Sequence, residues 1–463
     1  MKNEFQSLLS EKNLRELPNI LLVSAECAPL SKTGGLADVV GALPKYLQKL
    51  GVDARVITPY HRCIKDKYAS EVEHLFTFYV DLGWRRQYAG CMQEKLKYLL
   101  SIHNIAFQGR YDFGYVQDLL HVDPKYYTSE IMELWGIADF LKAGCYFADK
   151  ISTVSPTYAE EIKTDYYSEG LGAILNARAS DLCGILNGID AVVFNPEKDA
   201  LIPAHFSAED RSGKAACKSA LQERLGLEVR SDLPILAMVT RMTEQKGFEL
   251  VMEKLEDIME NETLQFVLLG SGDSRYEDYM RYMEERYKGR LVSYIGYNEE
   301  LAHQIYAGSD FFLMPSRFEP CGLSQMISMR YGCLPIVRET GGLKDTVIPL
   351  NTLTKEGTGF TFADFDAGEM RAAVHEAIAC FDNPEVMDEL IHNAMTVDFS
   401  FERSAEEYVR LYISMLDPIP DQNEKPAEAA QNPVTEDDSP EEAVPPEESE
   451  DKVTDTISIK EEA

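Results

Sequence analysis

Short apolar runs alternate with amphipathic stretches along most of this chain, the pattern of parallel sheets covered by helices. NILLVSAE (19–26), ARVITP (54–59), YLLSIH (98–103), KISTVS (150–155) and CGILNG (183–188) read as strands in the first half. ILAMVTR (235–241), QFVLLGSG (265–272), LVSYIG (291–296), FFLMPS (311–316) and LPIVRE (334–339) read as strands in the second. Between the halves, FNPEKDALIPAHFSA runs from Phe194 to Ala208 with two prolines and little periodicity, as a linker does. After Asp398, SFERSAEEYVRLYISML reads as one amphipathic helix. The expected organisation is an α/β chain with one domain over 1–200, a second over 201–397, a helix over 398–416 and a tail over 417–463.

Composition changes the picture mainly at that tail. From Asp417 to Ala463 there are 16 acidic and 3 basic residues, a net charge of −13 out of −33 for the chain. Rich in Pro, Glu and Ser, the tail is unable to bury enough apolar surface to offset its ordering entropy, so disorder is expected there. The remaining −20 makes nucleic acid an unsuitable partner. No run approaches the roughly 18 apolar residues of a membrane span. The start, MKNEFQSLLSEKNLREL, lacks the apolar core of a secretory signal. Nine cysteines stand without any CxxC pair, the pattern of reduced thiols in a cytoplasmic protein rather than of a zinc site or disulfide framework.

The chain writes nearly the same octapeptide twice, TGGLADVV from Thr33 and TGGLKDTV from Thr340, each leading from an apolar run into a helical pattern. Paired glycines at such a turn let a ligand approach backbone N–H groups at a helix N-terminus. Two such loops about 300 residues apart suggest two such domains facing one ligand.

Several side chains stand at the same kind of strand-to-helix turn. Glu319 follows the strand ending at Ser316, placed to hold sugar hydroxyls; a charge stabilised by the helix start is the plain alternative. Arg241 and Lys246 flank the turn after the second half's first strand, and such a pair suits a diphosphate whose charge grows as its bond breaks. Lys32 and Asp38 bracket the first glycine loop, where a solvated lysine is the commoner case. His103 and Asn104 end another strand, where a histidine donates to a substrate hydroxyl or simply serves the core.

Taken in order, the blocks SAECAPLSKTGGLADVVGALP, SIHNIAFQG, TVSPTYAEEI, GILNGID, TRMTEQKG, GSGD, PSRFEPCGL and VRETGGLKDTV carry a resemblance. Over roughly residues 18–416 the chain resembles bacterial glycogen synthases and plant starch synthases. That family passes glucose from ADP-glucose to the non-reducing end of an α-1,4-glucan with retention of configuration. The resemblance implies a GT-B fold, two Rossmann-like domains around a cleft with a terminal helix crossing back to the first. Lys32, Gly34 and Gly35 would contact the donor from the first domain, with Asp38, His103 and Asn104 on the glucose and acceptor side. Arg241 and Lys246 would stabilise the diphosphate. Glu319, Cys321, Gly322 and Leu323 would hold the donor sugar and ribose, and Thr340, Gly341 and Gly342 would face phosphate. Arg and Lys take the place of a metal, and no cofactor is implied.

The chain also departs from the family. Between GWRRQYAGCMQ (83–93) and KLKYLLSIHNIAFQG (95–109), relatives carry a long segment with a core strand and an Asp-Trp motif. Here a single position, Glu94, replaces it, and neither Trp84 nor Trp135 follows an Asp. A first domain lacking a strand is expected to be less stable and less active. Phe194 stands where the family usually has Trp, and Ile327 where broader GT-B transferases often repeat a Glu. A glucan synthase is therefore expected first and a catalytically impaired glucan-binding or regulatory homologue second. A nicotinamide-dependent oxidoreductase comes third, because the loops read TGGL and not GxGxxG.

Overall fold

The computed structural model describes residues 2–70 and 97–416. The tail from 417 and the junction between 83 and 95 lie outside the described residues, apart from the flanking stretches.

The strands of the first half are β1 (Ile20–Val23), β2 (Ala54–Ile57), β3 (Leu99–Ile102), β4 (Arg110–Tyr111), β5 (Glu133–Leu134), β6 (Ile137–Asp139), β7 (Lys150–Thr153) and β8 (Leu182–Gly184). The second half holds β9 (Ile235–Val239), β10 (Gln265–Gly270), β11 (Leu291–Ile295), β12 (Phe311–Met314), β13 (Leu334–Arg338) and β14 (Phe360–Phe362). All ten strands read from the apolar runs are present. The short β4, β5, β6 and β14 were not legible.

The second lobe is one parallel sheet in the order β11-β10-β9-β12-β13-β14. That is the doubly wound order, with its first strand, β9, beside its fourth, β12. β9, β10 and β12 are buried almost end to end, as both-sided helix cover requires. A ligand crevice belongs where the helices leaving β9 and β12 diverge to opposite faces.

The first lobe is built differently. β1 pairs in parallel with β2, with Ile20 opposite Ala54, and β3-β7-β8 form a separate parallel sheet with Leu99 opposite Lys150. A third, antiparallel sheet has the order β4-β6-β5. Leu21 on β1 is 56% exposed and Val23 77%, with Ile57 on β2 at 53%. Apolar residues that bare on a parallel strand mark a sheet with an uncovered face.

The helix Phe401–Met415 closes the chain onto the first lobe. Tyr46, on the helix Gly35–Lys49, stacks on Phe401 with ring centroids 5.9 Å apart. Phe5, Leu47, Tyr408 and Ile413 complete that core. Ile189 donates its N–H to the Phe399 carbonyl at 2.8 Å, and Ser404 donates to the Leu186 carbonyl at 2.6 Å. Two passages of chain thus run side by side between the lobes.

Candidate active site

The crevice between β9 and β12 is where the expected charges converge. A 3-10 turn, Glu244–Lys246, follows β9, and Gly247 ends it at φ +73. A Cβ there would lie 1.9 Å from the Pro315 carbonyl oxygen, so only glycine lets this turn sit against the end of β12. The packing brings Lys246 Nζ to 2.5 Å from Glu319 Oε2, which also accepts from Ser316 Oγ at 3.2 Å. Glu319 is buried and Lys246 nearly so. A carboxylate so placed fixes the direction of the ammonium group. Arg241, on the segment that leads from β9 to this turn, is exposed and makes no ion pair with any described residue.

After Glu319 the chain turns at Gly322, φ +74, into the helix Ser324–Arg330, with Leu323 as its N-cap. Burial pushes the Cys321 thiol up to about 12, so it stands as a packing residue and not a nucleophile. The first glycine loop meets this segment across the cleft: a Cβ on Gly35 would lie 3.5 Å from Leu323 Cδ1. Lys32 pairs with Asp38 at 2.8 Å. Partial burial opposes its charge, but Asp38, joined by Tyr297 and Glu299 of the second lobe, holds its pKa above the ordinary value.

His103 ends β3. Burial drives its imidazole pKa down to about 4 despite the nearby Glu26 carboxylate, which keeps the ring neutral at physiological pH. Asn104 turns its side chain back, its Oδ1 accepting from Ala106 N at 3.0 Å. Glu26 was not anticipated. Its carboxylate accepts from Thr33 N at 2.6 Å and Ala37 N at 3.2 Å, capping the helix Gly35–Lys49 from the end of β1.

The second glycine loop departs from expectation. Thr340 is fully buried, and Glu161 of the first lobe accepts from its hydroxyl at 2.9 Å and from Gly341 N at 3.0 Å. Asp345 answers by accepting from Thr157 N and Oγ1 at 2.9 and 2.6 Å. A Cβ on Gly341 or Gly342 would strike the carbonyl oxygens of Glu319 or Cys321 at 2.0 and 2.1 Å. These glycines serve backbone packing, and the loop is a contact between lobes rather than an open phosphate cradle.

The buried polar atoms without partners include Glu161 Oε2, Asn187 Oδ1, Thr243 Oγ1, Arg317 Nε and Gln325 Oε1.

Two such lobes, with a Lys-Glu pair at the crevice of the second and an exposed arginine on the segment after β9, define a glycosyltransferase of the GT-B type. Models of a starch synthase catalytic domain match residues 19–97 and 84–177, and a glycosyl transferases group 1 model matches 222–395. The chain belongs to the glycogen and starch synthase family. It is 40% identical to the glycogen synthase of Geobacillus thermodenitrificans over 474 positions, covering 86% of this chain and 98% of that one. The glycogen synthase of Lactococcus lactis is also 40% identical, with 85% and 99% covered. Among solved structures, the catalytic domain of starch synthase IV from Arabidopsis thaliana, bound to ADP and acarbose, superposes with a TM-score of 0.79 at 28% identity, covering 87% and 99%.

The Geobacillus alignment takes in 86% of 463 residues, about 398, across 474 positions, so about 76 positions of the relative face no residue here. The starch synthase model is likewise matched in two pieces that overlap at 84–97.

Among the described residues no helix is long and apolar enough to cross a membrane.

Proposed function

We propose that this protein is a cytoplasmic glycogen synthase that transfers glucose from ADP-glucose to the non-reducing end of an α-1,4-glucan with retention of configuration. The observation that carries the reading is the Lys246–Glu319 pair at 2.5 Å in the crevice between β9 and β12, with the exposed Arg241 on the segment that leads from β9 to this turn. As the bond from glucose to ADP breaks, negative charge grows on the leaving diphosphate. Arg241 and Lys246 meet it with fixed positive charge, and that is where pre-organised electrostatics lowers a barrier most. Glu319 steadies Lys246 and offers its remaining oxygen to a sugar hydroxyl, with Cys321, Gly322 and Leu323 shaping the wall behind it. Lys32, Gly34 and Gly35 close on the donor from the first lobe, with Asp38, His103 and Asn104 toward glucose and acceptor. Neutral His103 is suited to hydrogen bonding with a hydroxyl. Thr340, Gly341 and Gly342 hold the lobes together beside the donor. In this reading the first domain spans 1–200, the second 201–397, and the helix over 398–416 ties them.

The bare strands β1 and β2 favour a second reading, a homologue that binds glucan with little turnover. Labelled glucose transfer from ADP-glucose to glycogen, run beside UDP-glucose, separates the two. Turnover that falls about 10²–10³-fold in Lys246→Ala and Glu319→Ala supports the synthase. Turnover unchanged by both substitutions refutes the assignment of the site, and its absence in the wild type with glycogen binding retained supports the second reading.

A further inference from the structure

A cavity of about 460 Å³ on the first lobe is lined by Trp135, Asp165, Tyr166, Ser168, Glu169 and Gly170. Trp135 and Gly136 are the two-residue turn of the β5-β6 hairpin, in which Leu134 faces Ile137. Both have positive φ, +55 and +83, as a type I′ turn requires. Asn or Gly is the residue such a turn favours, and a bulky side chain there is strained. Here the turn carries a tryptophan that is 66% exposed. Neither the hairpin nor the core explains it.

The surroundings hold the indole in place. Arg110 lies over the ring at 4.5 Å, itself fixed by Asp139 at 3.1 Å, Gln108 Oε1 at 2.9 Å and the Glu169 carbonyl at 3.0 Å. Gly170, φ +89, lets the ring lie against the chain: a Cβ there would be 2.7 Å from Trp135 Cζ2. Glu169 is left-handed too, φ +49. Strained backbone gathered on both sides of one cavity is a mark of a functional site.

The lining also selects the class of ligand. Asp165 and Glu169 are exposed carboxylates, and the charge of Arg110 is already met by Asp139, so the cavity repels phosphate. An aromatic platform beside hydrogen-bond acceptors matches a neutral pyranose, whose C–H face stacks while its hydroxyls donate. Tyr166, 63% exposed, accepts from Arg317 of the second lobe at 3.4 Å, so the cavity borders the cleft.

We propose that Trp135, Tyr166, Asp165 and Glu169 form a subsite that holds an α-glucan chain away from its reacting end. The inference rests on the glucan acceptor of the proposed function. Its test is Trp135→Asn in the full chain, because Asn-Gly is the most favoured type I′ pair and the variant keeps or gains thermal stability. Migration in native gels containing glycogen and titration with maltoheptaose are compared for wild type, Trp135→Asn and Lys246→Ala. Affinity about tenfold weaker in Trp135→Asn, at unchanged stability and with Lys246→Ala binding normally, is the expected result. Equal binding by wild type and Trp135→Asn overturns the subsite even where glucose transfer is intact. A wild type that binds neither probe overturns it as well, whereas failure of the transfer assay alone bears on the proposed reaction and not on this surface.

Discussion

His103 shows how much of a site rests on burial rather than on residue type. Its pKa of about 4 in the fold lies below the ordinary value of 6.5. Between those values the unfolded chain takes up a proton that the folded chain refuses, so stability falls as pH drops from 6.5 toward 4. An NMR titration of the His103 ring should show no inflection between pH 5 and 8, and His103→Gln should flatten the stability curve over that lower window. An inflection near 6.5 would place the imidazole in open solvent. Glu26 teaches the complementary lesson. Its role as cap on the helix Gly35–Lys49 depends on a contact from the end of β1 that no sequence spacing announces. Glu161 was hidden for a stronger reason, since its partners lie about 180 residues away in the other lobe.

At the level of elements, long apolar runs were legible and short ones were not. The ten strands read in advance have runs that both faces of a sheet or a covering helix make apolar. β4, β5 and β6 have two or three residues each, too few to show a period, so the hairpin that carries Trp135 was invisible. The convergence of Lys246 and Glu319 was legible only as two separate turns. Their meeting follows from β9 lying beside β12, a matter of sheet order that sequence does not print. Gly247 is the joint between them. Gly247→Ala should cost about 2 kcal/mol or more in urea unfolding, because a positive φ and a backbone collision act together. Glucose transfer should fall with it as Lys246 leaves its place. A fully stable, fully active Gly247→Ala would mean that this turn does not set the site.

For the whole molecule, the division of the first lobe into two parallel sheets stands beside the 76 or so alignment positions without a residue here. The expected loss of a strand concerns a junction outside the described residues; among the described residues β1 and β3 do not pair, and Leu21, Val23 and Ile57 are exposed. Inserting the corresponding segment of the Geobacillus enzyme near position 94 should raise the melting temperature by several degrees. It should also raise glucose transfer from ADP-glucose. Calorimetry and the transfer assay on the two chains check this, and equal values for both would show the first lobe to be self-sufficient. The terminal helix sets a different constraint, one of timing. The second lobe is continuous in the chain, but the core around Tyr46 and Leu47 stays open until Phe401, Tyr408 and Ile413 arrive. During synthesis the core around Tyr46 and Leu47 is therefore the last to close, and until then its apolar helix face stays open to aggregation.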